Sequence, residues 1–186
     1  MVKDTSEKPV ENAVDGEKPK QKKKKRTALS YAVEFFVKIA VSAVCIWALC
    51  SYVIAVRVNH NNASYPMIKD GDLCICYRLG TVKEGDVIAY KHDRETCFGR
   101  VVAFEGETVE IKNGGVSVDG YGIYENVVYE TTEQGSKIKY PYSVPEKSYF
   151  VLNDFREDVN DSRVYGGIPV DDKQGKIIFI MRRRGF

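Results

Sequence analysis

Few side chains in this sequence are of the types that act on substrates, and their spacing excludes the commonest chemistries. The two histidines, His60 and His92, stand apart, and His92 lies in a charged run, Lys91-His92-Asp93-Arg94-Glu95, that reads as a solvated turn. The five cysteines make no CxxC or CxxH spacing, so neither a zinc site nor a disulfide framework is encoded, and no cofactor is implied. Cys74 and Cys76 alternate along one apolar run and project to the same side of a strand, where a bridge between i and i+2 has poor geometry; they read as buried core thiols. Cys97 remains as a weak candidate for a reactive thiol. The basic run Arg182-Arg183-Arg184 suits either contact with anionic headgroups or a soluble C-terminus.

The charge distribution says what must position these residues. Of 186 residues, 28 are basic and 26 acidic; residues 1–26 hold nine of the basic and five of the acidic ones, and residues 57–186 hold 18 and 20. The basic excess is therefore a tail and the bulk of the chain is near neutral, which argues against a nucleic-acid groove and a nucleic-acid partner. Residues 1–30, rich in Lys, Glu, Pro and Asp, lack the apolar periodicity needed to offset the entropy of ordering and read as a disordered tail ending in the lysine cluster Lys20 to Arg26.

From Ile39 to Val56 there are 18 residues without a charge, about 27 Å of helix at 1.5 Å per residue, and Phe35 to Val37 extend the run toward a bilayer's thickness. Lys38 lies one turn inside and can snorkel toward the basic flank. The segment is longer than a secretory h-region and lacks a small-x-small end, so it reads as a retained anchor, a transmembrane helix over residues 31–57. The lysine cluster places residues 1–30 in the cytoplasm and residues 58–186 outside the cell membrane.

The exported part reads as β. Residues 73–77, 86–90, 98–104, 108–112, 116–119, 126–129, 149–152 and 177–181 are short β-branched and aromatic runs, separated by turn signals such as Lys69-Asp70-Gly71-Asp72 and Asn113-Gly114-Gly115. Strands about ten residues apart without a competing helical run predict a closed or nearly closed antiparallel barrel.

Three segments carry a family resemblance. Asn62-Ala63-Ser64-Tyr65-Pro66-Met67-Ile68-Lys69-Asp70-Gly71-Asp72, then Phe98-Gly99-Arg100-Val101 running to Gly106-Glu107-Thr108-Val109, then Asn153-Asp154-Phe155-Arg156 running to Asp161-Ser162-Arg163-Val164-Tyr165-Gly166 resemble, in order, three conserved boxes of the type I signal peptidases, peptidase family S26. The resemblance implies a signal-peptidase-like antiparallel β domain behind one N-terminal transmembrane helix. Active members resemble one another in using a Ser nucleophile with a neutral Lys as base, a variant of the triad logic. Counted from Pro66 the nucleophile position is Ala63, and counted from Arg100 the base position is Gly99. The position of the Ser that orients the base is Val159. Asp161 and Arg163, whose pairing is structural in the family, remain.

A methyl group and a hydrogen can neither attack a carbonyl nor take its proton. Ser64 is the neighbouring hydroxyl, but on extended backbone a shift of one residue turns a side chain to the opposite face, and Lys69, Lys91 and Lys112 read as solvated charges rather than buried bases. The resemblance is closest to inactive homologues that assist pilus assembly in Gram-positive bacteria. It implies a membrane-anchored pseudoenzyme that binds an exported client, a pilin, in the old groove beside Tyr65, Pro66 and Met67, with a sortase as an open second partner. The alternative is an active or divergent signal peptidase, a serine endopeptidase of protein secretion.

Overall fold

The computed structural model describes residues 27–125 and 127–183. The expected disordered tail lies outside these residues as far as Arg26, and Arg184 and Asn126 lie outside them too. Helix α1 (Ala28–Ala48) starts three residues earlier than the sequence reading placed the anchor, and a π turn (Leu49–Val53) extends it. Together Ala28–Val53 make a helix with an 18-residue stretch of mean hydropathy 2.0, long and apolar enough to cross a membrane. Lys38 is held by Glu34, one turn back on the same face, with Nζ 2.9 Å from Oε1, so it is partnered by a carboxylate that the snorkelling argument left out.

The apolar run does not stay helical to its end. Ile54 to Arg57, expected inside the membrane helix, belong with Val58 to strand β1 (Ile54–Val58), paired antiparallel with β2 (Leu73–Tyr77) from Ile54↔Tyr77 to Val58↔Leu73. Hydropathy cannot tell a buried strand from a helix, and here Ala55 packs inside a core with Cys74 and Cys76.

The architecture is mainly β, in two antiparallel sheets. The remaining strands are β3 (Val87–His92), β4 (Glu95–Phe104), β5 (Thr108–Lys112), β6 (Gly115–Val118), β7 (Tyr121–Gly122), β8 (Tyr142–Ser143), β9 (Ser148–Leu152), β10 (Ile168–Pro169) and β11 (Lys173–Met181), with a short helix α2 (Ser162–Tyr165) between β9 and β10. The larger sheet runs β1-β2-β11-β3-β4-β9-β10 and the smaller β7-β6-β5-β8, so β1 and β10 are the margins of the larger one. The Asn113-Gly114 signal becomes the β5–β6 hairpin, with φ of 53° and 77° at its two turn residues. Residues 127–129 are not a strand: the chain there crosses from the small sheet toward the third box as an irregular loop.

Three things follow for the site. The strand β11 inserts between β2 and β3, and just past its end Arg183 lies beside the first box. The strand β4 holds the second box and pairs with β9, Arg100 opposite Leu152, which delivers the third box to the middle of β4. Beneath them, Ile68, Phe98, Cys74, Cys76, Val87 and Ala89 form one apolar cluster, and Ile88, Tyr90, Val101 and Val151 another on the other face of β4.

Candidate functional site

The first box is a closed loop between β1 and β2. Asn59 donates its N–H to the Asp72 carbonyl at 2.9 Å, and Gly71 donates to the Asn59 carbonyl at 2.9 Å. Gly71 sits at φ +82°, where a side chain would be strained, which is why the Gly-Asp pair closes this loop. The Asp72 carboxylate, almost fully buried, accepts from the backbone N–H of Lys69 at 2.9 Å and of Arg183 at 3.1 Å, tying the loop to the end of β11. Residues 63–67 are a run of turns, with Tyr65 N–H on the Asn62 carbonyl and Ile68 N–H on the Ser64 carbonyl.

That turn corrects the argument about Ser64. The backbone is not extended here, so strand alternation does not decide where the hydroxyl goes. Instead the Ser64 hydroxyl, buried at 1% exposure, donates to the Phe98 carbonyl on β4 at 2.9 Å. No lysine takes part in that bond. Lys69, Lys91 and Lys112 are exposed: Lys69 Nζ sits 5.4 Å from the centre of the Tyr65 ring, and Lys112 pairs with Glu110 at 2.6 Å.

Ala63 is half-buried, and its carbonyl accepts from Phe155 N–H in the third box at 3.0 Å. Gly99 is buried in β4, opposite Ile88 of β3. A Cβ at Gly99 would lie 2.5 Å from Val151 Cγ1, 3.3 Å from the Leu152 carbonyl and 3.6 Å from the Tyr90 ring. The space a longer side chain would need is occupied by a stiff β-branched neighbour. Val159 faces elsewhere, lining a cleft with Tyr129, Gly135 and Arg156.

Around these positions the charged groups are paired. Asp161 and Arg163, both fully buried, meet through Nη2 and Oδ2 at 2.8 Å and Nε and Oδ1 at 3.0 Å. Arg163 also donates to the carbonyls of Arg156 and Asp158, both at 2.8 Å, and Asp161 accepts the N–H of Asn153 at 3.0 Å. This pair therefore shapes the 153–158 loop, whose Phe155 N–H reaches Ala63. Arg100 makes a bidentate pair with Asp154, with both bonds 2.7 Å, and its remaining nitrogen Nη1 donates to the Gly85 carbonyl at 2.7 Å. Burial works against its charge, but the hydrogen bond and charge of Asp154 prevail and raise its pKa. The buried Arg156 binds Thr131 Oγ1 at 2.7 Å and Glu125 Oε1 at 2.6 Å, fixing the loop that crosses from the small sheet. Asp154 and Glu125 were not singled out from sequence, because their partners are 54 and 31 residues away. The signal for Asp154 was its place in the third box.

Pro66 and Met67 line a cleft of about 480 Å³ together with Lys69, Arg100, Val127, Asp154 and Arg182. Tyr65 is exposed at 38% beside it. The cysteines carry no reactive signature. Burial pushes the Cys74 thiol up to about 12 and the Cys76 thiol up to about 11. Cys97 is raised by burial and then by the nearby carboxylates of Glu95, Asp93 and Asp158. His92 is not the solvated turn residue expected from its neighbours: its ring stacks on Tyr165 with centroids 3.8 Å apart.

Residues 32–182 match the family model described as signal peptidase, peptidase S26. A signal peptidase IB of Staphylococcus aureus is 25% identical over 167 residues, covering 79% of this chain and 87% of that protein. A probable signal peptidase I-1 of Synechocystis is 28% identical over 142 residues, covering 69% and 71%. Among solved structures, a signal peptidase I from Enterococcus faecalis aligns with a TM-score of 0.46 at 23% identity, covering 53% of this chain and 98% of that one.

Proposed function

The chain belongs to the signal peptidases of family S26, and from that premise we propose that it is a membrane-anchored pseudoenzyme which binds an exported protein and assists its assembly at the cell surface. The observation that carries the reading is the pair of dyad positions: Ala63 offers a methyl group and Gly99 a hydrogen. The adjacent hydroxyl supports it. A nucleophilic serine needs a base within hydrogen-bond reach, whereas Ser64 is buried and its proton is given to a main-chain carbonyl.

Binding does not need a nucleophile. An extended client segment can add to a sheet margin through main-chain hydrogen bonds, with side-chain pockets giving selectivity. The groove is the turn of Tyr65, Pro66 and Met67, and the Asp161–Arg163 pair supports it through the 153–158 loop. In this reading α1 is the anchor, the lysine cluster keeps the N-terminus cytoplasmic, and the β domain works outside the cell. The client is a pilin, as the resemblance to the inactive pilus-assembly homologues implies, with a sortase as a candidate second partner.

The deciding experiment compares cleavage with client assembly. The full chain in nanodiscs is expected to leave a signal-peptide substrate uncut, and the Ser64→Ala variant is expected to support pilus polymerisation as the parent does. Cleavage that disappears in Ser64→Ala would overturn the reading in favour of a displaced nucleophile.

A further inference from the structure

The cleft beside Pro66 and Met67 carries a charge imbalance that the fold does not resolve internally. Three of its lining side chains are cationic, Lys69, Arg100 and Arg182, and one, Asp154, is anionic. Asp154 is spent on Arg100, which uses both of its oxygens and satisfies the third nitrogen on a carbonyl. Lys69 and Arg182 are left, and among the described residues neither makes an ion pair.

Their positions are built rather than incidental. The buried carboxylate of Asp72 holds the backbone N–H of Lys69 with one oxygen and that of Arg183 with the other. One side chain thus sets the separation of the two cationic walls, the first box on one side and the end of β11 on the other. The Arg183 side chain packs over Gly71, with Cδ 3.0 Å from where a Cβ would be, and the φ of +82° at Gly71 favours glycine there. Lys69 is further steadied over the Tyr65 ring. Pro66, Met67 and Val127 give the cleft an apolar lining.

We infer that this cleft is a docking site for an acidic, extended segment of the exported client, with carboxylates taken by Lys69 and Arg182 and an apolar side chain between them set against Pro66 and Met67. The inference rests on the client-binding reading above and specifies the chemistry of the partner. Charge complementarity selects the occupant: two unpaired cations flanking an apolar lining match alternating acidic and apolar residues.

The test uses the full chain in phosphatidylcholine nanodiscs and a labelled six-residue peptide alternating Glu and Val, with its Gln-Val counterpart, followed by fluorescence anisotropy. The Glu-Val peptide is expected to bind about tenfold more tightly than the Gln-Val peptide at low salt, with the difference shrinking as salt is raised. Lys69→Glu/Arg182→Glu is expected to abolish that preference and to bind a Lys-Val peptide instead. Both side chains are exposed, so folding should persist, and Lys69→Gln/Arg182→Gln, expected to lose the preference without gaining the Lys-Val peptide, guards against an effect of reversal alone. Equal binding of the Glu-Val and Gln-Val peptides, or a preference that survives the reversal, overturns the inference. So does binding of soluble short-chain phosphatidylglycerol without binding of the Glu-Val peptide, which would make the cleft a headgroup site. In a pilus assay, Ala63→Glu puts a charge in the groove beside Tyr65 and Pro66 and is expected to block assembly under the client-binding reading; full assembly by the reversal variant alongside that loss overturns the acidic cleft and leaves the client-binding reading standing. Full assembly by both variants overturns the two together.

Discussion

The corner around Ala63 and Gly99 and the loop that backs it are built from opposite kinds of side chain. At the corner, Ala63 and Gly99 hold no group capable of proton transfer. In the loop, Asp161–Arg163, Asp154–Arg100 and Glu125–Arg156 are intact ion pairs, all at 2.6–2.8 Å. The difference is physical. At Gly99 the space beside the backbone is taken by Val151, whose Cγ1 lies 2.5 Å from where a Cβ would be. A buried ion pair cannot lose one member without leaving a charge stranded in low dielectric. The corner thus holds small neutral side chains, and the loop behind it holds charges that cannot be removed singly without cost.

Breaking the comparison on its strong side should have the largest effect. Asp161→Ala strands Arg163 and removes the acceptor of Asn153 N–H, and is expected to cost about 3–5 kcal/mol in a urea titration. A cost below about 1 kcal/mol would mean that the loop is not held by this pair. On the other side, Gly99→Ala forces a Cβ against Val151 and should cost about 1–3 kcal/mol through overpacking. Val151→Ala is expected to absorb much of that cost in a double-mutant cycle, and strict additivity would show that the space is not shared. Ser64→Ala removes one buried hydrogen bond to Phe98 and should cost about 1 kcal/mol with no change in client assembly.

The smallest effect is one of pH and vanishes near neutrality. Burial raises Cys74 to about 12 and Cys76 to about 11 from an ordinary value of 9.0. The folded chain keeps protons that the unfolded chain releases, so the stabilisation is complete below about pH 9 and is lost as the pH rises through about 11 to 12. Denaturant midpoints measured across that range should fall with rising pH, and less so in Cys74→Ala/Cys76→Ala. A slope unchanged by the double substitution would refute the assignment to these thiols.

The sequence by itself determined the apolar N-terminal helix, the mainly β architecture, most of the strands and the family, because these are written in local hydropathy, in β-branched runs between Gly-Asp and Asn-Gly turns, and in three ordered motifs. The tertiary structure decided where the apolar run ceases to be helix, because β1 is defined by its pairing with β2 and not by its hydropathy. It decided that Ser64 is bonded to Phe98, that Val151 fills the space at Gly99, and that Asp72 joins the first box to the end of β11. Each of these brings together residues 34, 52 and 111 positions apart. No local pattern encodes such meetings; they exist only once the sheet has brought its strands into register.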